Sequence, residues 1–134
     1  MPDWSIKIVP AANPTKEAPA AFVPDIEDAE PGDPLKAQDD DIVTWNNTTG
    51  DEHWPWPTDA NFNPLPDDKV LNTPLYLSDL IPKGRSSRPN YNVLMPGIQG
   101  NNIPPTGTIY YCCKCHLQER GTIAVTAVPT ISQS

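Results

Sequence analysis

Three cysteines and a histidine crowd into five positions, Cys112-Cys113-Lys114-Cys115-His116. Thiolate and imidazole donors together suit copper, zinc or iron, not magnesium or calcium. So tight a cluster does not resemble the spaced framework of a disulfide-rich domain, and it reads as a local site. The chain's other histidine, His53, lies far upstream, just past a predicted strand. Whether the fold joins the two histidines decides whether a metal centre exists. Bland alternatives stand beside each residue. Cys113 can be an inert buried thiol, the commonest state of a free cysteine. His53 and His116 can be loop histidines. Cys112 can be a surface or second-sheet thiol and Cys115 an exposed loop thiol, or the two can pair as a disulfide.

The elements that must position these groups are strands. Thr108–Cys113 and Thr122–Val128 are β-branched and aromatic runs flanking the cluster, and they predict a hairpin. Side chains alternate faces along a strand, so Ile109, Tyr111 and Cys113 share one face, and Tyr110 and Cys112 the other. If the core takes Ile109 and Tyr111, Cys113 also points inward at the strand's end. A thiolate buried there needs a metal or a positive charge to stay ionised. Trp4–Val9 has apolar residues at 4, 6 and 8, a period-2 strand signal. Val43–Trp45 follows an acidic turn and ends the strand before His53. Tyr91 and Val93 lie in phase on another, and Tyr76–Ile81 reads as a short strand or turn. Residues 10–40 and 54–80 are rich in proline, acid and asparagine. They read as irregular excursions, the first with room for one strand.

The chain has 134 residues, enough for a single domain over 1–134 with its own core. Its 18 prolines argue against long helices, because each removes a backbone donor. Short strands separated by turn-rich loops predict an all-β sandwich or barrel. A formal net charge of −8 excludes nucleic acid as a natural partner, since phosphate binding needs clustered Lys and Arg. It favours a basic protein partner instead. No apolar run is long enough for a transmembrane helix. The N-terminus shows no basic, apolar and small-residue secretory pattern.

Three ordered blocks resemble the cupredoxins of the plastocyanin and amicyanin type. Val43-Thr-Trp-Asn-Asn47 with His53 is similar to the family's strand and first copper histidine. Ile81-Pro-Lys-Gly-Arg-Ser-Ser87, continuing through Tyr91 to Gly97, is similar to the segment before the ligand strand. Gly107-Thr-Ile-Tyr-Tyr-Cys-Cys113, with His116 and Arg120-Gly-Thr-Ile-Ala-Val125, resembles the ligand strand, ligand loop and last strand. The resemblance implies a Greek-key β-sandwich of the cupredoxin type, here with long proline-rich loops. It implies one copper ion held by His53, Cys113 and His116, the trigonal arrangement completed by a weak axial donor. The family's axial Met position is Glu119 here, an anionic and harder donor that favours the oxidised ion. The alternative is that Glu119 turns to solvent. Met95 is a poor substitute, because the family has no ligand there.

Two further departures stand out. Trp54 replaces the asparagine that ties the ligand loops in relatives, so Trp54-Pro-Trp-Pro57 has to fix the loop by packing and stiffness. Cys115 adds a thiol beside the site, which raises a second metal or oxidation. The binuclear copper spacing is not matched. The resemblance implies an electron-transfer protein and not an enzyme, with the alternative of copper storage, delivery or sensing. Reversible, fast voltammetry separates these. No general base or substrate cleft is evident, and zinc fits only as a misloaded metal. The implied partner is a redox protein such as a cytochrome, docking near His116 and Leu117 with Trp54 or Trp56 alongside. The implied location is periplasmic or exported.

Overall fold

A computed structural model describes residues 3–38, 41–73, 75–88, 91–93 and 108–126. The expected loop at 95–107, Met95 with it, and the last residues of the expected strand 122–128 lie outside these. Among the described residues, eight strands form two four-stranded sheets. The first sheet joins β1 (Asp3–Pro10), β2 (Ala20–Pro24), β4 (Ile42–Asn47) and β6 (Tyr91–Asn92) in the order β2-β1-β4-β6. The second joins β3 (Leu35–Gln38), β5 (Pro55–Pro57), β7 (Thr108–Cys113) and β8 (His116–Thr126) in the order β3-β8-β7-β5. One four-residue helical turn, α1 (Asp67–Val70), is the only helix among the described residues. No helix there is long and apolar enough to cross a membrane.

The alternation predicted for β1 and β7 holds. Ile6 and Ile8 face inward, with Trp4 partly buried against them, and Ile109, Tyr111 and Cys113 meet them from the opposite sheet. The centre of this core is aromatic. Trp45 and Phe22 both approach Tyr111 edge-on, with centroids at 5.4 and 4.9 Å, the geometry aromatic quadrupoles favour. Gly121 faces Tyr111 across the β7–β8 ladder. A Cβ on residue 121 would overlap Cζ and Oη of that ring. Because Tyr111 is rigid and enclosed, Gly121→Ala is expected to cost about 1–3 kcal/mol, as overpacking does. A lower urea midpoint at unchanged m would show it.

The two stretches expected to be irregular supply three strands. β2 and β3 lie in 10–40, where one strand was expected. Leu35 and Ala37 are buried and Lys36 is exposed, a period-2 pattern that its proline-rich and acidic surroundings obscure. β5 pairs Trp56 with Cys112 at the sheet edge, where proline's missing N–H is tolerated. Residues 76–80 form no strand, and Ile81 makes a single bridge to His53. β8 begins at His116, earlier than the expected 122. Cys113 pairs with His116 across a two-residue turn, and the register then shifts so that Cys112 pairs with Arg120. The bulge leaves Leu117, Gln118 and Glu119 without partners on β7, and such bulges re-aim side chains.

Candidate metal centre

Three elements meet at one end of the sandwich: the β4–β5 loop carrying His53, the β7–β8 hairpin, and the first residue of β2. His53 is fixed by its backbone, with N–H to Ile81 O at 3.1 Å and O from Ile81 N–H at 2.8 Å. Its ring is fixed by a relay. Asn47, buried at the end of β4, donates to the carbonyl of Asp51 at 2.7 Å and accepts from Thr49 Oγ1 at 2.7 Å. The Thr49 hydroxyl proton is thereby committed, so its oxygen accepts from His53 Nε2 at 3.0 Å. The network assigns the proton to Nε2 in the neutral ring and leaves the Nδ1 lone pair facing inward.

Cys113, His116 and Glu119 converge on that Nδ1. Cys113 Sγ lies 3.6 Å from His53 Nδ1 and 3.8 Å from His116 Nδ1. Glu119 Oε1 lies 3.0 Å from His53 Nδ1 and 3.4 Å from His116 Nδ1. Donor atoms of these four residues all fall within 4.8 Å of one another. Sulfur and nitrogen donors at about 2.3 and 2.0–2.1 Å from a shared metal ion stand roughly 3.5–3.8 Å apart for tetrahedral to trigonal angles. The observed spacing and the set of one sulfur, two imidazole nitrogens and one carboxylate oxygen therefore fit a four-donor transition-metal site. His53, Cys113 and Glu119 are buried, while the His116 side chain is 24% exposed. Glu119 does not turn to solvent; the bulge brings it inside, where its second oxygen Oε2 accepts the Ala20 amide at 2.8 Å.

The surroundings of His53 favour positive charge. Burial alone would lower the His53 pKa. Hydrogen bonds to Cys113 and Glu119 and their negative charge outweigh it and raise the pKa to about 9. Burial pushes the Cys113 thiol up, opposed by its hydrogen bonds to His53 and the Trp54 amide.

Trp54 ties the β4–β5 loop to the β7–β8 hairpin through its backbone. Its N–H donates to Cys113 Sγ at 3.3 Å, and its carbonyl accepts the Lys114 amide at 2.8 Å. The indole packs edge-on against Trp56 at 5.3 Å and donates to Ser78 O at 2.6 Å. Lys114 Nζ sits 3.7 Å over the Trp56 ring and pairs with Asp67 at 2.8 Å, clamping the turn from outside.

All three cysteines are free, so the Cys112–Cys115 disulfide is not formed. Cys115 is exposed as expected. Cys112 is not a surface thiol: it is fully buried on the opposite face from Cys113, and burial pushes its pKa up to about 12. Nothing in the sequence marks Thr49 or Ala20 as part of the site. Thr49 sits in a polar loop whose composition signals only a turn, and Ala20 acts through its backbone, which no side chain advertises.

The Thr49 hydroxyl has a testable consequence. Thr49→Val keeps the shape and deletes the acceptor for His53 Nε2. A metal ion on these donors is expected to bind about 10–100-fold more weakly, with Thr49→Ser close to wild type, measured by competition against a chelator.

No family model matches the sequence, and no curated protein matches it. Solved structures do. A novel purple cupredoxin from Nitrosopumilus maritimus aligns at a TM-score of 0.55 and 16% identity, covering 91% of this chain and 98% of that one. The oxidised form of plastocyanin from Dryopteris crassirhizoma aligns at 0.52 and 14%, covering 91% and 99%. Identities this low speak to architecture alone, and the architecture is common to all three: the chain has the cupredoxin fold.

Proposed function

We propose that the protein binds one copper ion through His53, Cys113, His116 and Glu119 and passes single electrons to a redox protein partner. The observation that carries this reading is the convergence of a thiolate, two imidazole nitrogens and a carboxylate oxygen within 4.8 Å. When bound, copper supplies a one-electron couple between its cupric and cuprous states. The chain's part is to hold the donors still. The Thr49 relay fixes His53, the Trp54 amide fixes the Cys113 sulfur, and the Ala20 amide fixes Glu119. A cage so constrained resists rearrangement when the charge at its centre changes, which suits electron transfer.

His116 is the one donor residue with an exposed edge, and Leu117 beside it is 48% exposed. A partner docking there reaches the site by the shortest path. Trp56 is 1% exposed and cannot belong to that patch, whereas Trp54 is half-buried and can. The net charge of −8 steers a basic partner such as a cytochrome. A periplasmic or exported location agrees with this role.

The test is optical and EPR spectroscopy of copper-loaded wild type and Glu119→Met. The wild type should show a perturbed thiolate–copper spectrum, and the variant should move toward an ordinary blue site. Identical spectra would remove Glu119 from the coordination sphere.

A further inference from the structure

We propose that the backbone amide of Ala20 decides which atom of residue 119 faces the metal, making Ala20 a positioning residue; this rests on the copper reading above. The strand geometry shows why that amide is available. β1 and β2 run antiparallel, with Pro10 opposite Ala20. Ladder bonds run from Ala11 N–H to Pro19 O and from Asp25 N–H to Ser5 O. Hydrogen-bonded and non-hydrogen-bonded pairs alternate along such a ladder, which makes Pro10–Ala20 a non-hydrogen-bonded pair. The Ala20 N–H therefore points away from β1. β2 is the outer strand of its sheet, so no further strand of that sheet receives it. Ala20 is nonetheless buried at 4% exposure, and a buried amide needs an acceptor. Glu119 Oε2 is that acceptor, at 2.8 Å in a buried bond.

The two carboxylate oxygens thus have separate duties. Oε2 belongs to Ala20. Oε1, 3.0 and 3.4 Å from the two histidine Nδ1 atoms, is the one oxygen left for the metal. The consequence is sharpest for glutamine, which has one oxygen and an NH₂ that only donates. In Glu119→Gln the Ala20 N–H claims that oxygen and turns the NH₂ toward the histidines, where it cannot act as a ligand. A near-isosteric change should then behave as loss of the fourth donor. Removing the Ala20 N–H should release the side chain to rotate and present its carbonyl. Ala20→Pro does this, because proline is tolerated at the first residue of an edge strand and the ladder does not use this amide.

Chelator competition and EPR on the copper-loaded protein supply the first test. Glu119→Gln should weaken copper by about 10-fold or more and change the copper hyperfine splitting as Glu119→Met does. Ala20→Pro/Glu119→Gln should recover most of that loss, a strongly non-additive cycle. Wild-type affinity and splitting in Glu119→Gln, or a double variant no better than Glu119→Gln alone, would overturn the proposal. A second test needs neither copper nor the proline variant. In metal-free Glu119→Gln, NMR should show the new side-chain NH₂ at position 119 close to the ring protons of His53 or His116, with the Ala20 amide proton still hydrogen-bonded and protected from exchange. An Ala20 amide proton that has lost that bond, or an NH₂ with no contact to either ring, would overturn the proposal. Unchanged copper spectra in Glu119→Met would instead remove Glu119 from the coordination sphere, and the NMR contacts would still report the clamp.

Discussion

Copper-loaded Cys113→Ser is expected to lose all of its intense visible absorption and to bind copper on the order of 10²–10³-fold more weakly. That absorption needs the thiolate, and no neighbouring cysteine can replace it. The affinity follows from sharing the roughly 10–16 kcal/mol of a four-donor site among its members, about 2.5–4 kcal/mol each. Cys112→Ala is the matched control. Both cysteines are fully buried, and they are adjacent in sequence, yet Cys112 stands opposite Trp56 on the far face of the sheet. Cys112→Ala should keep the spectrum and the affinity. Cys115→Ser should also keep both, since Cys115 is exposed and lies outside the four-donor group. Loss of the band in Cys112→Ala would mean that the strand phase assigned to β7 is wrong.

The contrast between these neighbours shows what the sequence makes legible. Alternation along Thr108–Cys113 is local, and it places Cys113 inward and Cys112 on the opposite face without knowledge of any partner strand. The convergence of His53, His116 and Glu119 with Cys113 was legible through ordered blocks, because residues of a hairpin and a preceding loop keep their register. What stayed hidden depends on distant pairing. β2 and β3 sit in a stretch whose prolines and acids mask two short alternating runs. The bulge at Leu117–Glu119 shows only when the partner strand is seen, and it decides that Glu119 enters the core instead of facing water. The Ala20–Glu119 bond spans 99 positions, and one of its partners is a main-chain amide common to almost every residue type. Thr49 lies four positions from His53, yet its role depends on Asn47 having already taken the hydroxyl proton.

Glu119→Met is expected to raise the reduction potential while lowering the stability of the metal-free protein. The two effects share one cause. A carboxylate buried at 2% exposure is poorly screened, so its charge acts strongly on a cation held beside it. The charge favours the cupric over the cuprous ion. If that preference matches the roughly 1.5–3 kcal/mol of interactions with a charged group, it is equivalent to about 60–130 mV for one electron. Methionine removes the charge, and the potential should rise by that amount in protein-film or solution voltammetry. The thioether also cannot accept the Ala20 N–H well, and a buried amide without its partner costs about 1–3 kcal/mol. His53 loses its anionic neighbour in the same substitution. The metal-free variant should therefore melt several degrees below wild type, and copper should restore part of the difference by binding only the folded state. A rise in potential without any loss of metal-free stability would show that Glu119 is not needed to hold the start of β2, whereas a loss of stability at unchanged potential would confine Glu119 to joining the two sheets.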